Sequence, residues 1–338
     1  MKEKINIGLI GAGKIGRVHA TNLVNRIPNA KLVAVSDVYL EAAKKFGSDF
    51  GIEQVFESHE SILDNPDIDA VAICTISETH APLINDAAIA GKHIFCEKPI
   101  ALDLAKIDAA LKTVNEHKVK LQVGFNRRFD ANFKQVRDVV QSGQIGDVQI
   151  LRITSRDPAP PPIEYVKNSG GMFLDMTIHD FDMARFLIGS EVTEVYAIGN
   201  VLVDKAIGEV GDIDTAMITL KFANGAIGSI DNCRKAVYGY DQRVEVLGSK
   251  GMVESGNNIA NKAVISDASG THGALPLYFY LERYMDAYAA ELQAFVNAIQ
   301  KNEDTPVTGQ DGRAPLAIGL AALRSLKENR PIKLSEVG

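Results

Sequence analysis

Ile5 to Ile10 is a short, mostly apolar run with charged residues before it and glycines after it. Such a run reads as a strand. Arg17 to Ile27 then changes to helical spacing, and Ala30 to Ser36 returns to strand type. The alternation continues through strand Ala70 to Thr75, helix His80 to Ala90, strand His93 to Cys96, helix Leu102 to His117 and strand Leu121 to Phe125. Strands alternating with helices predict a parallel sheet. Beyond about Asn126 the pattern differs. Val148 to Ser155, Val192 to Leu202, Thr215 to Phe222, Ala226 to Asn232 and Arg243 to Leu247 read as strands, most of them alternating apolar and polar positions. Asn224-Gly225 between two of them is a hairpin signal. Strands in direct succession predict a mostly antiparallel sheet with one face covered. Several apolar positions on its other face favour packing against another subunit. Two amphipathic helices close the chain, near Tyr278 to Asn302 and Gln310 to Asn329. The expected fold class is α/β: a parallel-sheet domain over residues 1–124, then an α/β domain with a large open sheet over 125–338.

A length of 338 residues agrees with two domains. The net charge of −7, with no long basic run, argues against a sequence-independent nucleic-acid binder. Cys74, Cys96 and Cys233 are odd in number and scattered, which fits neither a disulfide framework nor a zinc site, so no metal is expected. The charged start Met1-Lys2-Glu3-Lys4 lacks a signal peptide's apolar region, and no apolar run is long enough to span a bilayer. A cytoplasmic protein is expected, with no membrane partner.

The first strand leads directly into Gly11-Ala12-Gly13-Lys14-Ile15-Gly16. A bare GxGxxG is weak evidence. A strand before it, a helix after it and an acid at the right distance strengthen it. Asp37 supplies that acid at the end of the second strand, 21 residues after Gly16. Gly11 permits the tight turn, Gly13 lets the backbone approach a pyrophosphate, and Gly16 lets helix pack on strand. Amides at the helix start, from Lys14 and Ile15 onward, face the phosphates. Asp37 can accept hydrogen bonds from both ribose hydroxyls of NAD and repels a 2'-phosphate, so NAD is expected rather than NADP. Ligands bind beyond the carboxyl ends of such strands. There the sequence places Thr75-Ile76-Ser77, with His80 just beyond, Glu97-Lys98-Pro99 and Asn126-Arg127-Arg128. Lys98 is suited to hydrogen-bond a substrate oxygen and favour its deprotonated state.

From Gly170 to Asp182 the pattern predicts one helix with Asp175, His179 and Asp182 in a polar stripe and Leu174, Ile178, Phe181 and Phe186 around it. A mostly apolar helix is buried, and its ionisable groups need partners. A carboxylate one turn from a histidine provides for proton transfer; a helix cap plus a satisfied core histidine is the alternative. The proline cluster at Asp157 to Pro162 predicts a stiff loop holding Arg156 and Asp157 near the same site. The stripe Tyr280, Tyr284 and Tyr288 reads as packing.

The Gly11-Ala12-Gly13 turn, the segment Gly91-Lys92-His93-Ile94-Phe95-Cys96-Glu97-Lys98-Pro99 and the Asp175/His179 pair resemble the glucose-fructose oxidoreductase and inositol dehydrogenase family over nearly the whole chain. Ser155-Arg156-Asp157-Pro158, Gly171 to Asp182 and Tyr238-Gly239-Tyr240-Asp241 are most similar to its inositol 2-dehydrogenases. The resemblance implies a Rossmann domain, a second domain with a large open sheet, and homotetramers built through those sheets. It implies a catalytic set of Lys98, Asp175 and His179, with Arg127, Asp157, Asp182 and Tyr240 lining a polyol pocket. The expected cofactor contacts are Gly11, Gly13, Lys14, Ile15, Gly16, Asp37, Thr75, Ser77, His80, Glu97 and Lys98. The implied reaction is NAD-dependent oxidation of myo-inositol to its 2-keto form. Alternatives are the same chemistry on scyllo-inositol or another sugar, and a non-catalytic NAD and sugar sensor. Two positions depart from the pattern. Thr75-Ile76-Ser77 lacks the usual Pro-Asn, and Ser155 stands where some inositol dehydrogenases carry a histidine.

Overall fold

The computed structural model describes residues 3–337. They fold into two compact units, one running to Phe129 and including Asp286–Leu316, the other formed by Asp130–Met285 and the residues from Ala317 onward.

The first unit is built on six parallel strands, β1 (Ile5–Ile10), β2 (Ala30–Ser36), β3 (Gln54–Phe56), β4 (Ala70–Ile73), β5 (His93–Glu97) and β6 (Leu121–Gly124). Their order across the sheet is 3-2-1-4-5-6, the doubly wound Rossmann arrangement. Every residue of β4 and β6 is buried, which explains why these strands read as apolar runs rather than alternating ones. Leu9, Val35, Phe46, Ala72 and Phe95 lie in a core that also takes Leu292, Phe295 and Val296 from the helix Tyr280–Lys301. Residues 286–316 thus return to the first unit, although they follow the second in sequence. They also protect the sheet's edge. Val123 donates its amide to Val307 O at 3.1 Å, and Thr305 Oγ1 donates to Leu121 O at 2.6 Å. An edge strand covered in this way cannot recruit another chain.

The second unit holds a seven-stranded sheet of β7 (Val148–Arg156), β8 (Val192–Asn200), β9 (Thr215–Phe222), β10 (Ile227–Cys233), β11 (Asp241–Gly248), β12 (Gly251–Ser255) and β15 (Ile332–Lys333), in the order 12-11-7-10-9-8-15. A separate hairpin joins β13 (Val264–Asp267) to β14 (Gly270–Gly273). All pairings in the large sheet are antiparallel except β7 with β10. The hairpin at Asn224-Gly225 forms as expected, with Gly225 at φ +89° and Phe222 donating its amide to Ala226 O at 2.9 Å.

One face of this sheet is covered. Asn232 on β10 donates to Asp180 Oδ2 at 2.9 Å, fastening the helix Ile178–Ile188 to that face. The opposite face carries apolar side chains in register. Ile150 on β7 pairs with Ile227 on β10 and with Leu247 on β11, and Ile198 on β8 pairs with Met217 on β9. Ile198, Met217 and Ile227 each remain about half exposed.

The segment expected as one continuous helix is interrupted. Met172–Met176 is a π-helical turn, and the α-helix starts only at Ile178. Gly170 and Gly171 enter it at φ +93° and +74°. The Met172 amide then donates to both Asp212 carboxylate oxygens at 3.1 Å. A side chain at position 171 would meet Asp212 Oδ1 at 2.7 Å, so that approach requires glycine. At the far end, the Thr177 amide reaches back five residues to Met172 O at 2.9 Å. Clamps at both ends widen the turn, and helical periodicity in the sequence does not encode them. Single π turns of this kind are frequent at functional sites.

Candidate active site

In the first unit the glycine turn divides its work as its spacing predicts. Gly11 stands at φ +104°, and a Cβ there would lie 2.6 Å from Cys74 O. A Cβ on Gly16 would lie 2.1 Å from Gly11 O, so only glycine lets helix Lys14–Arg26 pack so close to the turn. Gly13 differs, because nothing lies within 4 Å of its Cβ position. Its backbone faces open space at a helix start with no side-chain cap, where the first amides have no intrahelical acceptor. Lys14 is exposed and Ile15 half-buried beside it. A pyrophosphate fits this cradle. Asp37 follows β2, with Oδ2 accepting the Ala12 amide at 2.8 Å and Oδ1 the Tyr39 amide at 2.9 Å. Each oxygen keeps acceptor capacity for ribose hydroxyls. The residues present therefore fit a dinucleotide.

Register places the other strand-end residues along the same edge. Ile10 pairs with Ser36 and with Ile73, Ile73 with Cys96, and Glu97 with Gly124. Lys98 follows directly after these pairs, and Thr75 and Arg127 follow within three residues. Thr75 and Lys98 are half-buried, Ser77 opens the helix Ser77–Ile89, and Arg127 is buried. His80 and Glu97 lie inside rather than on the surface. His80 is buried with Nδ1 at 2.8 Å from Pro99 O and Nε2 at 3.2 Å from Thr75 O. Burial holds its pKa below the ordinary imidazole range. The ring braces the two loops that carry Thr75 and Lys98.

Glu97 belongs to a group that the sequence reading missed. Its Oε1 lies 2.5 Å from His19 Nε2, on the helix that starts at the glycine turn. Glu291, wholly buried, brings its carboxyl to within 4.8 Å of both. Neither Glu291 oxygen has a hydrogen-bond partner among the described residues. Burial first, and then the Glu97 charge, raise its pKa well above the carboxylate range. The three side chains are the only cluster of three metal-ligating groups among the described residues. The contact from His19 to Glu97 is a hydrogen bond, since two ligands held at about 2.1 Å on a tetrahedral zinc ion stand about 3.4 Å apart. A signal was present. Tyr284, Tyr288, Glu291 and Phe295 share one helical stripe, so an acid falls on a buried face.

In the second unit, the run from Gly171 to Ala184 is buried except at Asp175 and His179. These are the two residues proposed from sequence as a proton-transfer pair. Tyr165, on helix Ile163–Ser169, donates to Asp175 Oδ1 at 2.9 Å. Asp182 is buried with only 1% of its surface exposed. Asp157 is half-buried at the end of β7 and tied by its backbone, its amide donating to Cys233 O at 2.9 Å and its carbonyl accepting the Ala236 amide at 2.6 Å. Its neighbour Arg156 forms a bidentate pair with Asp231, at 2.8 Å from Nε and 2.5 Å from Nη2. Tyr240 is buried against Phe279 and Tyr284, with ring centroids 5.6 and 6.0 Å away. Ser155 is fully buried and donates to Gln242 Oε1 at 3.2 Å.

Family models match both parts of the chain: an oxidoreductase family with an NAD-binding Rossmann fold over residues 5–125, and a GFO/IDH/MocA C-terminal domain over residues 133–254. The myo-inositol 2-dehydrogenase of Thermotoga maritima is 48% identical over 98% of this chain and 99% of its own. The inositol 2-dehydrogenase of Rhizobium meliloti is likewise 48% identical, over 98% and 99%. The chain belongs to the Gfo/Idh/MocA oxidoreductase family. A solved member, the scyllo-inositol dehydrogenase of Lactobacillus casei with bound NAD(H) and scyllo-inositol, matches with a TM-score of 0.92 at 34% identity, covering 98% of this chain and 99% of that one. Within this family the Rossmann unit described above binds NAD, and the chain is an NAD-dependent dehydrogenase.

Proposed function

We propose that this member oxidises myo-inositol to its 2-keto form. The observation that carries the reading is the exposure of Asp175 and His179 alone in an otherwise buried run, within a chain matched end to end by two inositol 2-dehydrogenases. His179 takes the hydroxyl proton of the reacting carbon. Asp175 orients the imidazole and stabilises its charged form, as the acid of a triad does. Lys98 hydrogen-bonds the same oxygen and stabilises its developing negative charge. NAD, when bound, supplies the hydride acceptor. Gly11, Gly13, Lys14, Ile15, Gly16 and Asp37 hold its phosphates and ribose, with Thr75 and Ser77 beside them, while His80 and Glu97 act from behind. Arg127, Asp157, Asp182 and Tyr240 shape the polyol pocket.

The exposed apolar ladder of Ile150, Ile227, Leu247, Ile198 and Met217 supports assembly through the open sheet, as a homotetramer. No helix among the described residues is long and apolar enough to cross a membrane. The proposed setting is polyol catabolism in the cytoplasm. Initial rates of NADH formation with a panel of inositol isomers and common sugars test the substrate. A clear preference for myo-inositol is expected. Preference for scyllo-inositol, the ligand of the Lactobacillus casei relative, would replace the substrate and keep the chemistry. No rate with any cyclic polyol would refute the proposal.

A further inference from the structure

Tyr165 lies outside every motif that pointed to the site, yet its phenol donates a hydrogen bond to Asp175, at 2.9 Å. An ionised carboxylate only accepts, so the tyrosine must donate. Its delivery is rigid. The prolines at 158, 160, 161 and 162 precede helix Ile163–Ser169, and Pro162 stands at the helix's N-terminal boundary. Gly170 and Gly171, at φ +93° and +74°, then turn the chain, and Asp175 meets the phenol hydroxyl ten residues later. The far side is clamped as well, because Asp212 holds the Met172 amide and pairs with the buried Arg234 at 3.5 Å. We propose that Tyr165 is a positioning residue for the reaction, holding the Asp175 carboxylate in the orientation from which it addresses His179.

The charged and titratable groups around the phenol are Asp175, Arg234 and Tyr280. Desolvation and the Asp175 charge hold the Tyr165 pKa above the ordinary phenol range, so the ring keeps its proton at any working pH. Asp175 gains a neutral donor that draws on its negative charge without competing for His179. Removing that donor takes one hydrogen bond from the carboxylate and leaves more of its charge toward the imidazole. His179 then holds its proton more tightly.

The inference rests on Asp175 and His179 being the proton-transfer pair. The test compares Tyr165→Phe with Asp175→Asn and His179→Ala in the full chain, using NAD and myo-inositol. Tyr165→Phe should lower kcat about tenfold. It should leave the KM for NAD unchanged and move the acid limb of the kcat/KM profile for the polyol to higher pH. Thermal melting should match the parent, since the ring is partly exposed. Unchanged kcat and pH profile in Tyr165→Phe, while the other two variants are inactive, would overturn this inference alone. A loss of activity matched by a loss of melting temperature would overturn it too, since the role would then be structural. Full turnover in His179→Ala would remove the pair itself and this inference with it.

Discussion

Glu291→Gln should make the protein more stable at neutral pH, and by an amount that depends on pH. Glu291 and Glu97 bring carboxyl oxygens to within 4.8 Å of each other in a closed core. Two full charges at that distance repel by about 3 kcal/mol at an effective dielectric constant of about 20. Glu97 shares a hydrogen bond with His19, whereas Glu291 has no hydrogen-bond partner among the described residues. Burial first, and then the Glu97 charge, raise the Glu291 pKa well above the carboxylate range, so Glu291 keeps its proton where an ordinary carboxylate loses it. The sign follows from linkage. The folded state retains a proton that the unfolded chain releases above about pH 4.3. Stability contributed by that proton is fully present at acid pH and declines as pH rises toward the raised folded value. The slope is about 1.4 kcal/mol per pH unit. Glutamine keeps the shape of the neutral acid and removes the slope. The first unit holds about 160 residues, in the size range where 1 kcal/mol moves Tm by about 2–4 °C.

 The gap in Tm between variant and parent should therefore widen by about 3–6 °C for each pH unit above about 5. Thermal melts of both proteins across a pH series measure it. Parallel melting curves at every pH would refute the reasoning, because they would mean that Glu291 does not carry a proton into the fold.

Gly13→Ala should leave the melting temperature of the cofactor-free protein unchanged and weaken NAD binding, since its Cβ meets no protein atom but intrudes on the phosphate cradle; Gly16→Ala should instead lower the melting temperature, its Cβ falling 2.1 Å from Gly11 O. Calorimetric titration with NAD and melts of both variants check the contrast. His179→Ala should lower turnover about a hundred- to ten-thousandfold with NAD binding intact, read from initial rates and a binding titration. Ile227→Glu, on the open face of the sheet, should split the assembly into smaller species by light scattering, and an unchanged mass would place the subunit contact elsewhere.

The Rossmann unit was legible because its signals are local. A fully buried strand such as β4 is apolar at every position, and the roles of Gly11, Gly13 and Gly16 follow from spacing alone. What escaped was whatever depends on a distant partner. The three-residue β3 and two-residue β15 are too short to carry a period, and β15 exists by pairing Ile332 with Val195 on β8. The return of residues 286–316 to the first unit is invisible in an amphipathic helix pattern, which reports that a face is buried and not against what.

The same distinction separates the parts of the site. Asp175 and His179 were found because four-residue spacing on an apolar helix is a local signal, yet the turn that carries Asp175 is π-helical and not α-helical. Its geometry is imposed from outside the segment, by Asp212 on one end and by Asn232, which accepts from Thr177 Oγ1 at 2.7 Å, on the other. Sequence therefore singles out the pair proposed to react and misses the groups that hold their segment in place. Tyr165, Asp212, Asn232, His19 and Glu291 are all polar residues whose partners, or for Glu291 whose charged neighbours, lie ten or more positions away. An isolated tyrosine or glutamate in a sequence has many uses, and only its partner selects one. In a dehydrogenase of this family, substitutions at such positions should change rate and pH dependence while leaving the recognisable motifs untouched.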